Sequence, residues 1–267
     1  MTYPWREAPE GTFAVIGDPV HHSLSPKMHS AAYATLGLPY TYYGIHVPTG
    51  EVGEALERLS SLGYQGINVT VPHKEEALNW ADVVEPMAAR VRAANTLRLK
   101  DRACINTDAP GFLDTLGEFH PTEKKVLLVG AGGSARALIV ALLSDGYSIK
   151  LTNRTLEKAH SLAEELGSNQ LSVSESADPD GCALILNTTS ASLNKEELPI
   201  QWDRAMPGAL AYDLMYARPT TPFLAKAFSL GLATMDGLPL LVAQGARSFE
   251  WWLGIEAPRT AMREALQ

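Results

Sequence analysis

The sequence predicts an α/β protein with two domains, each built on a largely parallel sheet, and three observations lead to this fold class. Apolar runs and helical patterns alternate from one end of the 267 residues to the other, as parallel sheets with crossover helices require. A polar, proline-containing stretch at residues 117–125 separates two such series. In the second series a glycine-rich turn joins an apolar strand to a helix, which is typical of a Rossmann domain.

The first series predicts five strands and three helices. The strands are expected at residues 13–16, 40–46, 67–70, 96–99 and 103–105, the last of which would pair with the fourth. The helices are expected at residues 26–36, 51–62 and 74–80. Pro26 suits the first turn of its helix, and Ser25 is the expected N-cap.

The second series predicts six strands and three helices. The strands are expected at residues 126–129, 148–152, 171–173, 184–187, 210–214 and 233–235, and the helices at 134–143, 156–166 and 221–230. The segment after Pro239 is helical and apolar, and we expect it to return to the first domain. One domain is therefore predicted from residues 1–109 with 240–267, and the other from residues 110–239.

Composition narrows the classes of function. The chain is 46% hydrophobic and 19% charged, as in an ordinary globular protein, and its net charge of −8 without a basic stripe argues against nucleic acid as a partner. No run approaches the roughly 20 apolar residues of a membrane span, and the N-terminus lacks the apolar core of a signal peptide. A cytoplasmic location is expected. Cys104 and Cys182 are expected to be buried thiols, and no metal-ligand spacing is present.

The glycine-rich turn predicts a dinucleotide site. Gly130, Gly132 and Ala135 give the G-x-G-x-x-A fingerprint, in which the first glycine allows a tight turn and the second lets the backbone approach a pyrophosphate. Ala131, Gly133 and Ser134 complete the turn, and the helix N-terminus favours phosphate. The alternative is a strand–helix turn that binds no nucleotide.

The end of the next strand indicates which dinucleotide binds. An NAD enzyme usually carries an acidic residue there for the ribose 2′-hydroxyl. This chain instead has Asn153, Arg154 and Thr155, with Lys158 one helical turn later. Because a guanidinium can bind a 2′-phosphate and a carboxylate would repel it, NADP is the expected cofactor.

Polar residues in the first half follow the predicted strands, where open α/β sheets place their sites. Ser23 and Ser25 suit a carboxylate at a helix N-terminus, although a local turn and cap would also explain them. Lys74 opens a helix, an unfavourable place for a cation that suits a general acid/base, although a solvated lysine is equally consistent. Asp108 could pair with Lys74 or simply cap a helix.

Several motifs occur in order along the chain. They are H-S-x-S-P at residues 22–26, N-V-T-x-P-x-K at 68–74, A-x-N-T at 93–96, N-T-D at 106–108, GAGGSA at 130–135, N-R-T at 153–155, N-T-T-S at 187–190, D-x-x-Y at 213–216 and D-G-L-x-x-L-x-x-Q at 236–244. Together they resemble the shikimate dehydrogenase family nearly from end to end.

The resemblance implies an N-terminal substrate domain, a C-terminal NADP-binding Rossmann domain, a cleft between them, and reversible NADPH-linked reduction of 3-dehydroshikimate to shikimate. It implies Lys74 as the catalytic acid/base with Asp108. The substrate-binding residues would be Ser23, Ser25 and Tyr216 for the carboxylate, with Asn68, Thr70, Asn95, Asp108 and Gln244 for hydroxyls. Further cofactor contacts would come from Thr188, Thr189, Ser190, Leu214 and Gly237.

Three positions depart from the family pattern. Arg92 stands where glycine is usual, Pro110 follows Ala109 after Asp108, and Leu240 stands where methionine is common. None removes a group that the chemistry needs. Two alternatives stay open, a quinate/shikimate dehydrogenase of broader specificity and a catalytically silent NADP-binding paralogue, and so does a homodimer as the oligomeric state.

Overall fold

The computed structural model describes residues 1–117, 119, 121–194 and 196–267. Glu118 and His120, in the stretch predicted to join the two series, therefore lie outside the described residues. The chain forms two compact units, Met1–Phe112 with Leu241–Gln267 and Leu113–Leu240. The α/β class is as predicted.

Seven strands within the described residues form the sheet of the first unit. They are β1 (Thr2–Pro4), β2 (Phe13–Gly17), β3 (Tyr42–His46), β4 (Gly66–Val69), β5 (Val83–Val84), β6 (Thr96–Arg98) and β7 (Ala103–Ile105), in the spatial order β1-β3-β2-β4-β6-β7-β5. The strands β1, β3, β2 and β4 are parallel, whereas β6 runs antiparallel to β4 and to β7. The carboxyl ends of β2 and β4, which Ser23 and Thr70 follow, therefore lie at one edge of this sheet.

The helices of the first unit cover this sheet, and all five residues of β2 are buried. They are α1 (Ser25–Thr35), α2 (Val52–Ser61), α3 (Lys74–Trp80), α4 (Pro86–Val91), α5 (Asp108–Leu116), α9 (Leu238–Leu253) and α10 (Arg259–Glu264), where α5 and α9 continue across the unit boundaries. Trp252 on α9 donates from Nε1 to the Leu97 carbonyl at 2.9 Å and stacks on Phe13 of β2. These contacts make α9 part of the core of the first unit.

The second unit contains a parallel sheet with helices α6 (Gly133–Ser144), α7 (Leu156–Leu166) and α8 (Pro222–Ser229). Its strands are β8 (Lys125–Val129), β9 (Ser148–Thr152), β10 (Leu171–Val173), β11 (Leu184–Asn187), β12 (Leu210–Asp213) and β13 (Ala233–Met235). Their spatial order is β10-β9-β8-β11-β12-β13 with parallel pairing throughout. This is the Rossmann order, whose direction reverses between β8 and β11.

Three short elements were not predicted, namely β1, β5 and α4. Each has six residues or fewer, which is too short for hydrophobic periodicity to show. Arg92, the departure at the end of α4, is left-handed with φ 55° and ψ 37°. The turn therefore keeps a backbone conformation that glycine favours, with an arginine in it.

The prediction that Ser25 caps α1 is wrong. The helix begins at Ser25 itself, and no side chain in the described part of the chain caps it. Instead Oγ of Ser23 accepts a hydrogen bond from the Ser25 amide at 3.3 Å. The side chain of Ser25 is therefore not used to cap α1.

Candidate active site and dinucleotide site

Lys74 and Asp108 form an ion pair in the first unit. Nζ of Lys74, at the start of α3, lies 2.7 Å from Oδ2 of Asp108 at the start of α5, and both side chains are 15% exposed. Such partial burial strengthens the interaction of the charges while leaving both groups within reach of a small molecule. The sequence left Asp108 either paired with Lys74 or capping a helix, and the structure shows the pair.

Asn95 holds the other oxygen of this carboxylate. Its Nδ2 donates to Oδ1 of Asp108 and to Oγ1 of Thr107, each at 2.9 Å, and its Oδ1 accepts from the Thr107 amide at 2.8 Å. Asn95 itself is buried, immediately before β6. Both carboxylate oxygens of Asp108 therefore have fixed partners, and the direction of the carboxylate is set.

Asn106 performs the capping that had been the alternative role of Asp108. Its Oδ1 accepts from the Ala109 amide at 3.2 Å, and its Nδ2 donates to the Ala93 carbonyl at 3.0 Å. Asp108 lies inside α5 rather than before it. The interpretation of Asp108 as an N-cap is wrong, because an asparagine two residues earlier satisfies that amide.

Asn68 lies in a buried polar network at the end of β4. Its Oδ1 accepts from the Tyr42 hydroxyl at 2.7 Å, and its Nδ2 lies 2.9 Å from Oγ of Ser248 and 3.2 Å from the Asn95 carbonyl. The side chain is 5% exposed. One lone pair on Oδ1 is left for a ligand hydroxyl, so most of the bonding capacity of Asn68 goes to the protein.

Gln244 lies on helix α9, which packs against helix α5 near Asp108. Its Nε2 donates to the Leu241 carbonyl at 2.7 Å. A Cβ at Gly111 would stand 3.0 Å from the Gln244 amide nitrogen, so a glycine here allows α5 and α9 to approach. The helix that carries Asp108 and the helix that carries Gln244 are thus packed backbone to backbone.

The glycine-rich turn of the second unit lies at the point where the strand order reverses. Gly130, with φ 118°, donates its amide to the Thr152 carbonyl at 2.8 Å, and a Cβ there would collide with Oγ1 of Thr188. The amide and hydroxyl of Thr188 both donate to the Val129 carbonyl at 2.9 Å. The first glycine is therefore required by the close approach of the loops after β8 and β11.

The next two glycines leave the backbone open. No described atom lies within 4 Å of where a Cβ would stand on Gly132 or Gly133. Helix α6 begins at Gly133 after an extended Gly132, and among the described residues no side chain caps it. Its first amides are therefore available to an anion, and a ligand can approach the backbone closely here.

Arg154 is placed to meet a ligand from solvent. Its side chain is 93% exposed, and Nη1 lies 4.0 Å from Oε2 of Glu196, the outer limit of an ion pair. Asn153 folds back to donate to the Thr155 carbonyl at 2.8 Å, and Thr155 precedes α7. The guanidinium therefore follows β9 with little protein contact and is accessible to an anion from solvent.

The buried carboxylate of Asp213, the first residue of the D-x-x-Y motif and one without a predicted role, organises the loops after β11 and β12. Asp213 accepts hydrogen bonds from the side chains of Asn187, Ser192 and Thr221 at 2.5 to 2.9 Å and from the Met215 amide at 3.0 Å. Burial raises the pKa of this carboxyl, and the four donors oppose that shift. Asn187 and Asp213 are register partners on neighbouring strands, which places the amide beside the carboxylate.

Leu214 and Gly237 meet through their backbones. A Cβ on Gly237 would collide with the Leu214 carbonyl oxygen, so the start of α9 lies directly against the end of β12. Tyr216 is half-buried in this unit, and burial together with the nearby charge of Asp236 raises the pKa of its hydroxyl. The side chain is therefore a neutral hydrogen-bond donor at physiological pH.

Within the described residues, no helix is long and apolar enough to cross a lipid bilayer. The same residues contain no group of three or more histidine, cysteine, aspartate and glutamate side chains that could hold a metal ion. Both cysteines are free and buried.

Family models match three stretches of the chain. Residues 15–97 match the shikimate dehydrogenase substrate binding domain, residues 115–190 match shikimate / quinate 5-dehydrogenase, and residues 237–267 match the shikimate 5'-dehydrogenase C-terminal domain. The matches thus extend into both units.

Full-length relatives agree with these models. The shikimate dehydrogenase (NADP(+)) of Moorella thermoacetica is 41% identical over 98% of this chain and 94% of its own length. The crystal structure of shikimate dehydrogenase from Aquifex aeolicus is similar with a TM-score of 0.89 at 36% identity, covering 96% of this chain and 97% of that one. A shikimate 5-dehydrogenase from Thermus thermophilus, solved in complex with NADP(H) and shikimate, has a TM-score of 0.86 at 37% identity, covering 95% of this chain and 97% of that one.

Proposed function

The chain belongs to the shikimate dehydrogenase family, and we propose that it catalyses the reversible NADPH-linked reduction of 3-dehydroshikimate to shikimate. This makes it an NADP-dependent oxidoreductase that acts on a CH–OH group in the biosynthesis of chorismate and the aromatic amino acids. The observation that carries the proposal is the partly buried ion pair of Lys74 and Asp108, with Asn95 holding the carboxylate.

Lys74 acts as the general acid/base. In the direction of reduction, its ammonium donates a proton to the C3 oxygen of the substrate as that oxygen gains negative charge, and in the reverse direction the amine accepts the proton of the hydroxyl. Asp108 keeps the ammonium directed at that oxygen and accepts a hydrogen bond from the substrate hydroxyl. Bound NADPH supplies the hydride to C3.

The remaining residues orient a polyhydroxy acid. Ser23, Ser25 and Tyr216 hold the carboxylate, while Asn68, Thr70, Asn95 and Gln244 join Asp108 in binding the ring hydroxyls. Support comes from Ser25, which is relieved of capping, and from Asn68, whose Oδ1 keeps one lone pair. A site that pairs each hydroxyl in this way rejects analogues lacking one, because its own polar groups would be left unpaired.

NADP is assigned to the second unit. Gly130–Ala135 would receive the pyrophosphate, Asn153, Arg154, Thr155 and Lys158 the 2′-phosphate end, and Thr188, Thr189, Ser190, Leu214 and Gly237 the nicotinamide end. The open backbone at Gly132 and the exposed guanidinium of Arg154 support this assignment. We also propose a cytoplasmic location, which the free thiols of Cys104 and Cys182 support.

The test is absorbance at 340 nm with shikimate or quinate and with NADP or NAD. Turnover with shikimate and NADP is expected. Turnover with quinate would assign the protein to the quinate/shikimate enzymes of broader specificity. Thermal stabilisation by NADPH without turnover of either acid would point to a silent binding protein. Light scattering on the same sample gives the oligomeric state, since a homodimer would have twice the chain mass of 28.8 kDa.

A further inference from the structure

We propose that Ser248 is a positioning residue for the reaction, which ties helix α9 to the three segments that carry Asn68, Asn95 and Asp108. The proposal rests on the proposed function, because its effect on turnover is exerted through the Lys74–Asp108 pair. Ser248 lies outside every motif that identified the site, and its hydrogen bonds within the described structure go to neither Lys74 nor Asp108.

The hydroxyl of Ser248 is fully buried and has four polar neighbours. Its Oγ lies 2.9 Å from Nδ2 of Asn68, 2.8 Å from Oγ1 of Thr96 and 3.3 Å from Oγ1 of Thr107, and it donates to the Gln244 carbonyl at 3.0 Å. A hydroxyl has one proton to donate and two lone pairs. The bonding capacity of this oxygen is therefore filled largely by groups that are 141 to 180 residues distant in sequence.

Three of these neighbours adjoin or belong to the active site. Asn68 is itself a proposed substrate ligand, Thr96 follows Asn95 directly, and Thr107 precedes Asp108 directly. Thr107 also bonds Asn95 through both its amide and its hydroxyl, at 2.8 Å and 3.2 Å. A shift of Thr107 would therefore move Asn95 and the peptide that begins at Asp108 together.

Removal of the Ser248 hydroxyl should lower the rate of turnover, because catalysis is sensitive to small displacements of the reacting groups. A displacement of about 1 Å in a reacting group can cost on the order of 100-fold in rate. Removing Oγ of Ser248 leaves Asn95 still bonded to Asp108, so the displacement is smaller than that. We expect Ser248→Ala to lower kcat by roughly tenfold at saturating shikimate and NADP.

A matched variant separates positioning from loss of packing. Phe249 is the next residue on α9, is equally buried, and stacks on Tyr33 without taking part in the polar network. Phe249→Leu loosens the same helix but removes no hydrogen bond. Its kcat is expected to stay within about twofold of the wild-type value even where its melting temperature falls. An equal loss of kcat in both variants would mean that Ser248 acts by packing alone, and would overturn the proposal.

A double variant tests whether Ser248 acts through Lys74. In a Lys74→Ala background the acid/base that Asp108 directs is absent, so adding Ser248→Ala is expected to change kcat by less than about twofold. A full further loss of about tenfold there, or a kcat within about twofold of wild type for Ser248→Ala alone, would overturn the proposal. If Ser248→Ala does not fold, Ser248→Cys, which fills the site but is a weaker hydrogen-bond donor and acceptor, is measured in its place.

Amide hydrogen exchange tests the positioning role of Ser248 without a measurement of enzyme activity. If neither NADP nor NAD supports oxidation of shikimate by the wild-type protein, the proposed function fails, yet the network can still be tested. The Thr107 amide, which bonds Asn95 Oδ1, is then expected to exchange faster in Ser248→Ala than in Phe249→Leu. Equal exchange in the two variants would refute the positioning role without any reference to activity.

Discussion

The imidazole of His29 stacks face to face on the phenol ring of Tyr42, with ring centroids 4.3 Å apart and planes within 4° of parallel. His29 is fully buried, and within the described structure neither ring nitrogen has a hydrogen-bond partner. Burial lowers the pKa of His29 to about 3. Because the Tyr42 hydroxyl donates to Asn68, an uncharged His29 lies directly behind the substrate site.

The first prediction concerns stability in acid. The folded protein keeps His29 neutral down to about pH 3, whereas the unfolded chain protonates it below about pH 6.5. The contribution of neutral His29 is therefore complete above pH 6.5 and is lost progressively as pH falls below that value. The expected loss is about 2 kcal/mol between about pH 7.5 and about pH 5. Urea unfolding of wild type and His29→Phe at both values measures it, since phenylalanine keeps the stacking and cannot titrate.

The difference between the two proteins isolates His29 from the other titrating groups. His29→Phe should lose about 2 kcal/mol less than wild type over this interval. Parallel losses in the two proteins would show that His29 does not carry the acid sensitivity.

The second prediction concerns Lys74. Lys74→Ala should lower kcat by about 10²- to 10⁴-fold, the usual cost of losing a general acid/base, with a smaller effect on the KM for shikimate. Initial rates at 340 nm give both constants. Lys100→Ala, which removes an exposed lysine of the same unit, is the control and should keep the wild-type kcat. A Lys74→Ala enzyme with wild-type kcat would remove Lys74 from the mechanism.

The third prediction concerns the choice of cofactor. Arg154→Asp should weaken NADPH binding by about ten- to a hundredfold, because a charge-assisted hydrogen bond to phosphate is replaced by repulsion. NADH, which lacks the 2′-phosphate, should bind with nearly unchanged affinity. Fluorescence titration with both cofactors measures the ratio. The side chain is 93% exposed, so little change in the free energy of unfolding is expected, and an unaltered preference for NADPH would exclude Arg154 as the phosphate ligand.

The fourth prediction concerns Arg102, whose backbone is left-handed with φ 48°. Its guanidinium pairs with Glu57 and Asp82 and lies over the Trp80 ring. Arg102→Gly should lower the free energy of unfolding by about 1 kcal/mol, because the loss of these contacts outweighs the relief of backbone strain that glycine brings. Denaturant unfolding measures the change, and a variant as stable as the wild type would contradict the prediction.

Local patterns were sufficient for much of this fold because its strands are continuous apolar runs. All five residues of β2 are buried, and helix α3 begins at Lys74, where the sequence predicts a helix to begin. The glycine-rich turn is a fingerprint contained in one short segment. It therefore predicts the Rossmann unit from the sequence alone, and the structure shows the six strands of that unit. The shikimate dehydrogenase resemblance, which rests on several such segments, agrees with the family matches.

Side-chain hydrogen bonds that depend on tertiary packing could not be predicted from local sequence patterns. Ser25 and Asp108 each precede a helical pattern, and the sequence does not decide between them and their neighbours as caps, since Asn106 suits that role as well as Asp108 does. The hydrogen bonds that Asn68 donates to Ser248 and Thr221 donates to Asp213 join residues whose partners are set by tertiary packing. A weak signal did exist for Ser248, which lies four residues after Gln244 and hence on the same face of a helix.

The interrupted first unit has a consequence for synthesis on the ribosome. The chain leaves this unit after Phe112 and rejoins it at Leu241, so all of the Rossmann unit is translated before Ser248 and Trp252 emerge. A nascent chain can thus complete its cofactor-binding half first, in the N-to-C order in which domains generally fold. The Asn68 network stays open until the last helices arrive, and a chain released early would hold cofactor residues without a finished substrate site.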